Sequence, residues 1–100
     1  MEDTIDKKTN QAAELLKALA HPIRMQIVMH LTEQASINVG SLQNLLNIEQ
    51  SLLSHHLIKM NDQGILHHTR KGKEIYYSIA DPTVIEITKL MVGSRLIPKG

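Results

Sequence analysis

The sequence predicts a mainly α chain with one small β-hairpin, in the order α-α-α-α-β-β-α. Three observations carry this reading. Apolar residues recur at helical spacing from Thr9 to Gln63. Two short stretches then flank a basic turn, Arg70-Lys71-Gly72-Lys73, and the second of them alternates polar with apolar residues. Helical spacing resumes after Asp81-Pro82, a pair suited to an N-cap and a first helical residue.

The elements follow in order. Ala12, Ala13, Leu15, Leu16 and Leu19 give a first helix over Thr9 to Leu19. Ala20-His21-Pro22 breaks it, and proline suits the first turn of the next helix because its missing N–H is not needed there. The second helix runs from Pro22 to Leu31 with Ile23, Ile27, Val28 and Leu31 inward and Arg24 directed elsewhere. Ser36 to Gly40 reads as a brief extended segment. It leads into a third helix from Gly40 or Ser41 to Leu46, with Leu42, Leu45 and Leu46 buried. Asn47 tolerates the left-handed conformation that ends such a helix. The fourth helix spans Glu49 or Gln50 to Gln63, and Leu53, Leu57 and Met60 form its inner face at i, i+4 and i+7. Gly64 closes it, and Ile65 packs back. Strands are expected over Ile65 to Arg70 and Glu74 to Ile79. The last helix runs to Val92, with Val84, Ile85, Ile87, Thr88 and Met91 on its apolar faces. Met25, Met29, Met60 and Met91 read as packing residues. Two short helices around a tight turn form a helix-turn-helix, and a hairpin directly after them is the winged arrangement.

Composition bounds the function. One hundred residues make a single domain, 1–100, with 1–8 and 95–100 expected to fray. Hydrophobic residues are 42% and charged residues 21%, which suits an ordinary globular chain rather than a disordered one. With no Trp or Phe and two Tyr, the core must come from Leu, Ile, Val, Met and Ala. The formal charge of +1 neither announces nor excludes a nucleic-acid partner, because distribution matters more than the sum. The absence of cysteine removes disulfides, thiolate metal sites and cysteine nucleophiles. There is no Gly-rich phosphate loop and no legible nucleophile-base pair, so neither an enzyme nor a cofactor is expected. No apolar run has the length of a signal peptide core or a membrane span, which points to a cytoplasmic protein. A chain this short buries a modest fraction of its surface, and self-association would complete its core.

Three segments carry a resemblance. Ala18-Leu19-Ala20-His21-Pro22-Ile23-Arg24-Met25-Gln26-Ile27 resembles the "ALAxPxRLxIL" opening of the ArsR–SmtB family of bacterial winged-helix repressors. Gln50-Ser51-Leu52-Leu53-Ser54-His55-His56-Leu57 resembles that family's recognition helix, "QSTVSHHL". Gly64-Ile65-Leu66 with Arg70 to Ile79 resembles its wing, "GLV…RRGRxxYYxL". The match is collinear over residues 12 to 92. It implies a homodimer that represses transcription and releases DNA on sensing a metal, an oxidant or another signal. The family's thiol segment, "ELCVCDL", aligns with Ser36 to Leu42 and places Asn38 and Gly40 at the thiol positions. Its C-terminal carboxylate-and-His site keeps Asp81, but Thr83, Ser94 and Ile97 replace the other ligands. Asp81 is better explained as a helix cap. The effector is unknown.

The expected DNA-binding residues are Gln50, Ser51, Ser54 and His55 on the outer face of the fourth helix, with Arg70, Lys71 and Lys73 on the wing. The first group suits base edges and phosphates in a major groove, and the second suits phosphate or the adjacent minor groove. Two departures stand beside them. Glu49 replaces a hydroxyl cap, and Leu52 replaces a hydroxyl residue, where it either touches a thymine methyl or packs. Arg24 resembles the family's regular arginine, and either a phosphate or an internal ion pair accounts for it. His55-His56 and His67-His68 form no chelate by themselves, since neighbours diverge on a helix and face opposite sides on a strand. His56 reads as a partly buried, hydrogen-bonded residue that holds its helix. No metal site is expected.

The dimer interface is expected from Leu15, Leu16 and Leu19 with Val84, Ile87 and Met91. A two-fold dimer requires a palindromic operator on double-stranded DNA. Two alternatives stand beside this reading: a winged-helix protein-interaction module, and a His/carboxylate metal-responsive repressor.

Overall fold

The structure, a computed structural model, describes residues 6–93. It contains α1 (Lys7–Leu19), α2 (Pro22–Glu33), β1 (Ile37–Asn38), α3 (Val39–Leu46), α4 (Gln50–Asp62), β2 (Leu66–Lys71), β3 (Glu74–Ile79) and α5 (Thr83–Gly93). The strands form an antiparallel sheet in the order β1-β3-β2. The expected succession of helices and hairpin is present, with one addition. The segment read as a lead into α3 pairs with the wing, placing Ile37 opposite Tyr77 and Asn38 opposite Tyr76. Buried Ile37 anchors it.

Local signals account for the helix ends. The Asp6 carboxylate accepts from Thr9 N–H at 2.7 Å, so α1 starts at Lys7, two residues before Thr9. That backbone hydrogen bond also holds the Asp6 carboxyl below its ordinary pKa. His21 caps α2 through Nδ1, which accepts from Ile23 N–H at 3.1 Å ahead of Pro22. Asn38 caps α3 by accepting from Ser41 N–H at 2.7 Å, and its amide donates to Glu74 Oε1 at 2.7 Å. One side chain therefore starts α3 and ties it to the wing. Asn47 ends α3 at φ 56°, ψ 51°, in the left-handed region. Gly64, at φ +80°, ends α4, and Ile65 N–H returns to the Met60 carbonyl at 3.0 Å. Asp81 accepts from Thr83 N–H at 3.0 Å, so it caps α5, which begins one residue after Pro82.

The core joins Ile27, Val28 and Leu31 of α2 to Leu42, Leu53, Leu57, Met60, Ile65, Tyr77 and Val84. Fully burying each such aliphatic side chain contributes about 1.5–3 kcal/mol. Two expectations fail. Leu45 is 50% exposed, because α3 has a single fully buried position, Leu42, with Leu46 packed beside it. Met91 is 44% exposed and lies on the outer side of α5, not in the core.

Candidate nucleic-acid interface

The amphipathic phase of α4 builds the site. Leu53, His56, Leu57 and Met60 are buried, which turns Gln50, Ser51 and His55 outward. Ser54 is half-buried at the edge of that face. Glu49 makes no side-chain cap, so the first-turn N–H groups of α4 receive no side-chain acceptor from it. Leu52 and Ile58 are exposed on this helix too, so Leu52 is not a core residue. A cleft of about 400 Å³ separates α4 from the wing, and Gln50, Ser54, Lys73 and Glu74 line it.

The hairpin places the basic residues. Lys71 pairs with Glu74 across the β2–β3 end, and Gly72, at φ +64°, supplies the positive φ of the turn. Arg70, Lys71 and Lys73 are exposed, and among the described residues none of them is in an ion pair. The Lys71 ammonium stands 5.2 Å from the centre of the Tyr76 ring, a contact that steadies one of the three cations.

Among the described residues Arg24 is in no ion pair, and two of its donors are engaged within the chain. Its Nε donates to His56 Nδ1 at 3.0 Å, and its Nη1 donates to the Ala18 carbonyl at 2.9 Å. His56 is buried and hydrogen-bonded, as its phase on α4 implies. Its pKa is lowered, first by burial and then by the positive fields of His21, Arg24 and His55. The His21 and His55 rings lie beside His56, with centroids 4.3 and 5.5 Å from that of His56. His67 and His68 rings are 6.4 Å apart, and His68 Nδ1 lies 2.9 Å from Asn61 Oδ1.

The positions of the thiol segment hold no soft donor. Asn38 is occupied by Ser41 and Glu74, and Gly40 has no side chain. These residues do not fit a thiolate-bound metal. Asp81 serves α5 as a cap, while Ser94 and Ile97 lie outside the described residues.

Leu16, at 52% exposed, borders an apolar groove of about 180 Å³ with Leu19, Ala20, Met25, Ile87 and Met91. The structure thus brings together Leu16, Leu19, Ile87 and Met91 of the expected interface. Leu15 is half-buried outside this groove. Val84 is 0% exposed and belongs to the chain's own core, because the first turn of α5 faces inward there. Leu19, at 2% exposed, offers the groove only its edge. Met25 and Ala20 complete the groove, and the helical phase of α2 alone did not mark them.

Comparison with known proteins agrees with this geometry. The family described as bacterial regulatory protein, arsR family, matches residues 21–68, from the cap of α2 into β2. The transcriptional repressor PagR of Bacillus anthracis is 46% identical over 79 residues, covering 79% of this chain and 79% of that protein. The chain belongs to the arsR family of bacterial regulatory proteins. Among other relatives of this arsR-family chain, the biofilm growth-associated repressor of Xylella fastidiosa is 30% identical over 89 residues, covering 89% and 77% of the two chains. The crystal structure of PagR superposes with a TM-score of 0.77 at 43% identity, covering 84% of this chain and 95% of PagR. That of the repressor BigR from Xylella fastidiosa gives 0.84 at 28% identity, covering 98% and 99%. The fold is the winged helix-turn-helix, and this arsR-family chain is a DNA-binding transcriptional regulator, not an enzyme. Among the described residues, no helix is long and apolar enough to cross a membrane.

Proposed function

We propose that this arsR-family chain is a cytoplasmic homodimeric repressor that binds a palindromic operator. In this reading α4 enters the major groove and the wing lies against the neighbouring backbone. Gln50, Ser51, Ser54 and His55 select sequence, while Arg70, Lys71 and Lys73 supply affinity through phosphate. The observation that carries the reading is the orientation of α4. Four buried residues lock its inner side, and the polar side chains next to its N-terminus are left facing out. Repression follows from occupying a promoter.

The direct test replaces Ser54 and His55 by Ala together and measures operator affinity at fixed salt. A base contact is worth about 1–3 kcal/mol, so the double variant should lose roughly tenfold or more. Unchanged affinity would exclude α4 as the reading element. Exposed Leu52 and Ile58 favour one other reading, a protein-binding face on the same helix. A salt titration separates the two. Contact with DNA weakens steeply as salt rises, and an apolar protein contact does not.

A further inference from the structure

Arg24 lies in the first turn of α2 and reaches two other helices. One donor goes to the Ala18 carbonyl in the last turn of α1, where a cation suits the negative helix end. Another goes to His56 in the middle of α4. His56 directly follows His55 of the DNA-reading face, and the two rings are 5.5 Å apart. A shift of His56 therefore moves the side chains that meet DNA. On the other side, the His21 ring packs against His56 with centroids 4.3 Å apart.

We infer that Arg24 and His56 are a positioning pair that sets α4 against the α1–α2 junction, and that DNA affinity requires His56 Nδ1 to remain a hydrogen-bond acceptor. The inference rests on the DNA-binding reading above. Nδ1 accepts only when the ring is neutral, because both nitrogens of a protonated imidazole are donors. His21 is held the same way, with Nδ1 accepting from Ile23 N–H. Among the described residues, the titratable and charged groups acting on His56 are His21, the cap of α2, Arg24 from α2 and His55 from α4, with no carboxylate among them. A proton on His56 thus loses the bond to Arg24 and meets a guanidinium across the gap. A proton gained by a side chain in direct contact with phosphate has the opposite effect, because added positive charge strengthens that contact. The sign of the pH response therefore separates the positioning pair from a direct contact.

The probe is a duplex recovered by in vitro selection with the wild-type protein at about pH 7.5. Its affinity is measured for the folded protein, checked by circular dichroism, at about pH 7.5 and about pH 5.5 at equal ionic strength. The wild type should lose affinity on acidification, with about tenfold as the ceiling at about pH 5.5, because the His56 pKa lies below its ordinary value of about 6.5. His56→Gln, whose amide oxygen accepts without titrating, should bind well at both pH values. Arg24→Lys should bind weakly at both, because a single ammonium does not reproduce the fork that reaches two acceptors. A wild-type affinity that is flat or rises with acid overturns the proposal. So does a His56→Gln profile with the same acid loss. If His56→Gln does not fold, Arg24→Gln decides: weak binding without an acid step supports the pair, and wild-type binding overturns it. A selection that enriches no sequence removes the DNA-binding reading itself, and the proposal with it.

Discussion

At the scale of single residues, His56 shows what a sequence reveals and what it hides. Its burial followed from helical phase, since it lies on the same side of α4 as Leu53, Leu57 and Met60. Its partner did not, because Arg24 stands 32 residues away and reaches it from the first turn of α2. The pair also makes stability depend on pH. Burial, then the fields of His21, Arg24 and His55, lower the folded-state pKa of His56. The unfolded chain therefore binds the proton more readily than the folded chain. The stabilisation from a neutral His56 is present above the ordinary pKa of about 6.5 and is lost as pH falls through the folded-state value. Denaturant midpoints should thus decline from about pH 7.5 to about pH 5, and His56→Gln should flatten that decline. Equal slopes for the two proteins would remove His56 as the source.

At the scale of elements, α4 and β3 were the most legible, because each has an unbroken period that places it. Strand β1 was not. Two residues have no period, and only the register with Tyr76 and Tyr77 makes them a strand. Leu45 failed for a related reason. Leu42, Leu45 and Leu46 share one apolar arc, but the core covers it fully only at Leu42, and Leu45 at its edge stays half in solvent. The wing was legible as a hairpin, and its function lies in its exposed cations. Among the described residues, Lys71 and Lys73 carry no ion pair that DNA would have to displace. Each phosphate neutralised contributes about 0.9 to the slope of log affinity against log salt. Replacing both by Ala removes four such contacts from a dimer, so it should lower the magnitude of that slope by about 3.6 and weaken every duplex alike. A change in preferred sequence with an unchanged slope would mean that the wing reads bases. Asn38 links this element to the helix-turn-helix, since one amide caps α3 and holds Glu74 of β3.

At the scale of the whole molecule, the apolar groove on the helices away from α4 sets the expectation. The groove bordered by Leu16, Ile87 and Met91 gathers residues from α1, α2 and α5, on elements other than the reading helix. The sequence pointed to these helices but not to the division of labour within them. Val84 and Leu19 turned inward because a chain of 100 residues needs them for its own core. A two-fold interface presents each residue twice, so Leu16→Glu introduces two carboxylates into one apolar contact. Sedimentation should then show a monomer, and the core beneath should keep its thermal transition, since Leu16 is half in solvent already. Two half-sites bound by one dimer gain affinity through effective concentration, on the order of a hundredfold or more. The variant should lose that factor on a full palindrome and bind a single half-site as the wild-type subunit does. Full affinity for the palindrome from a proven monomer would overturn the symmetric reading and leave α4 acting alone.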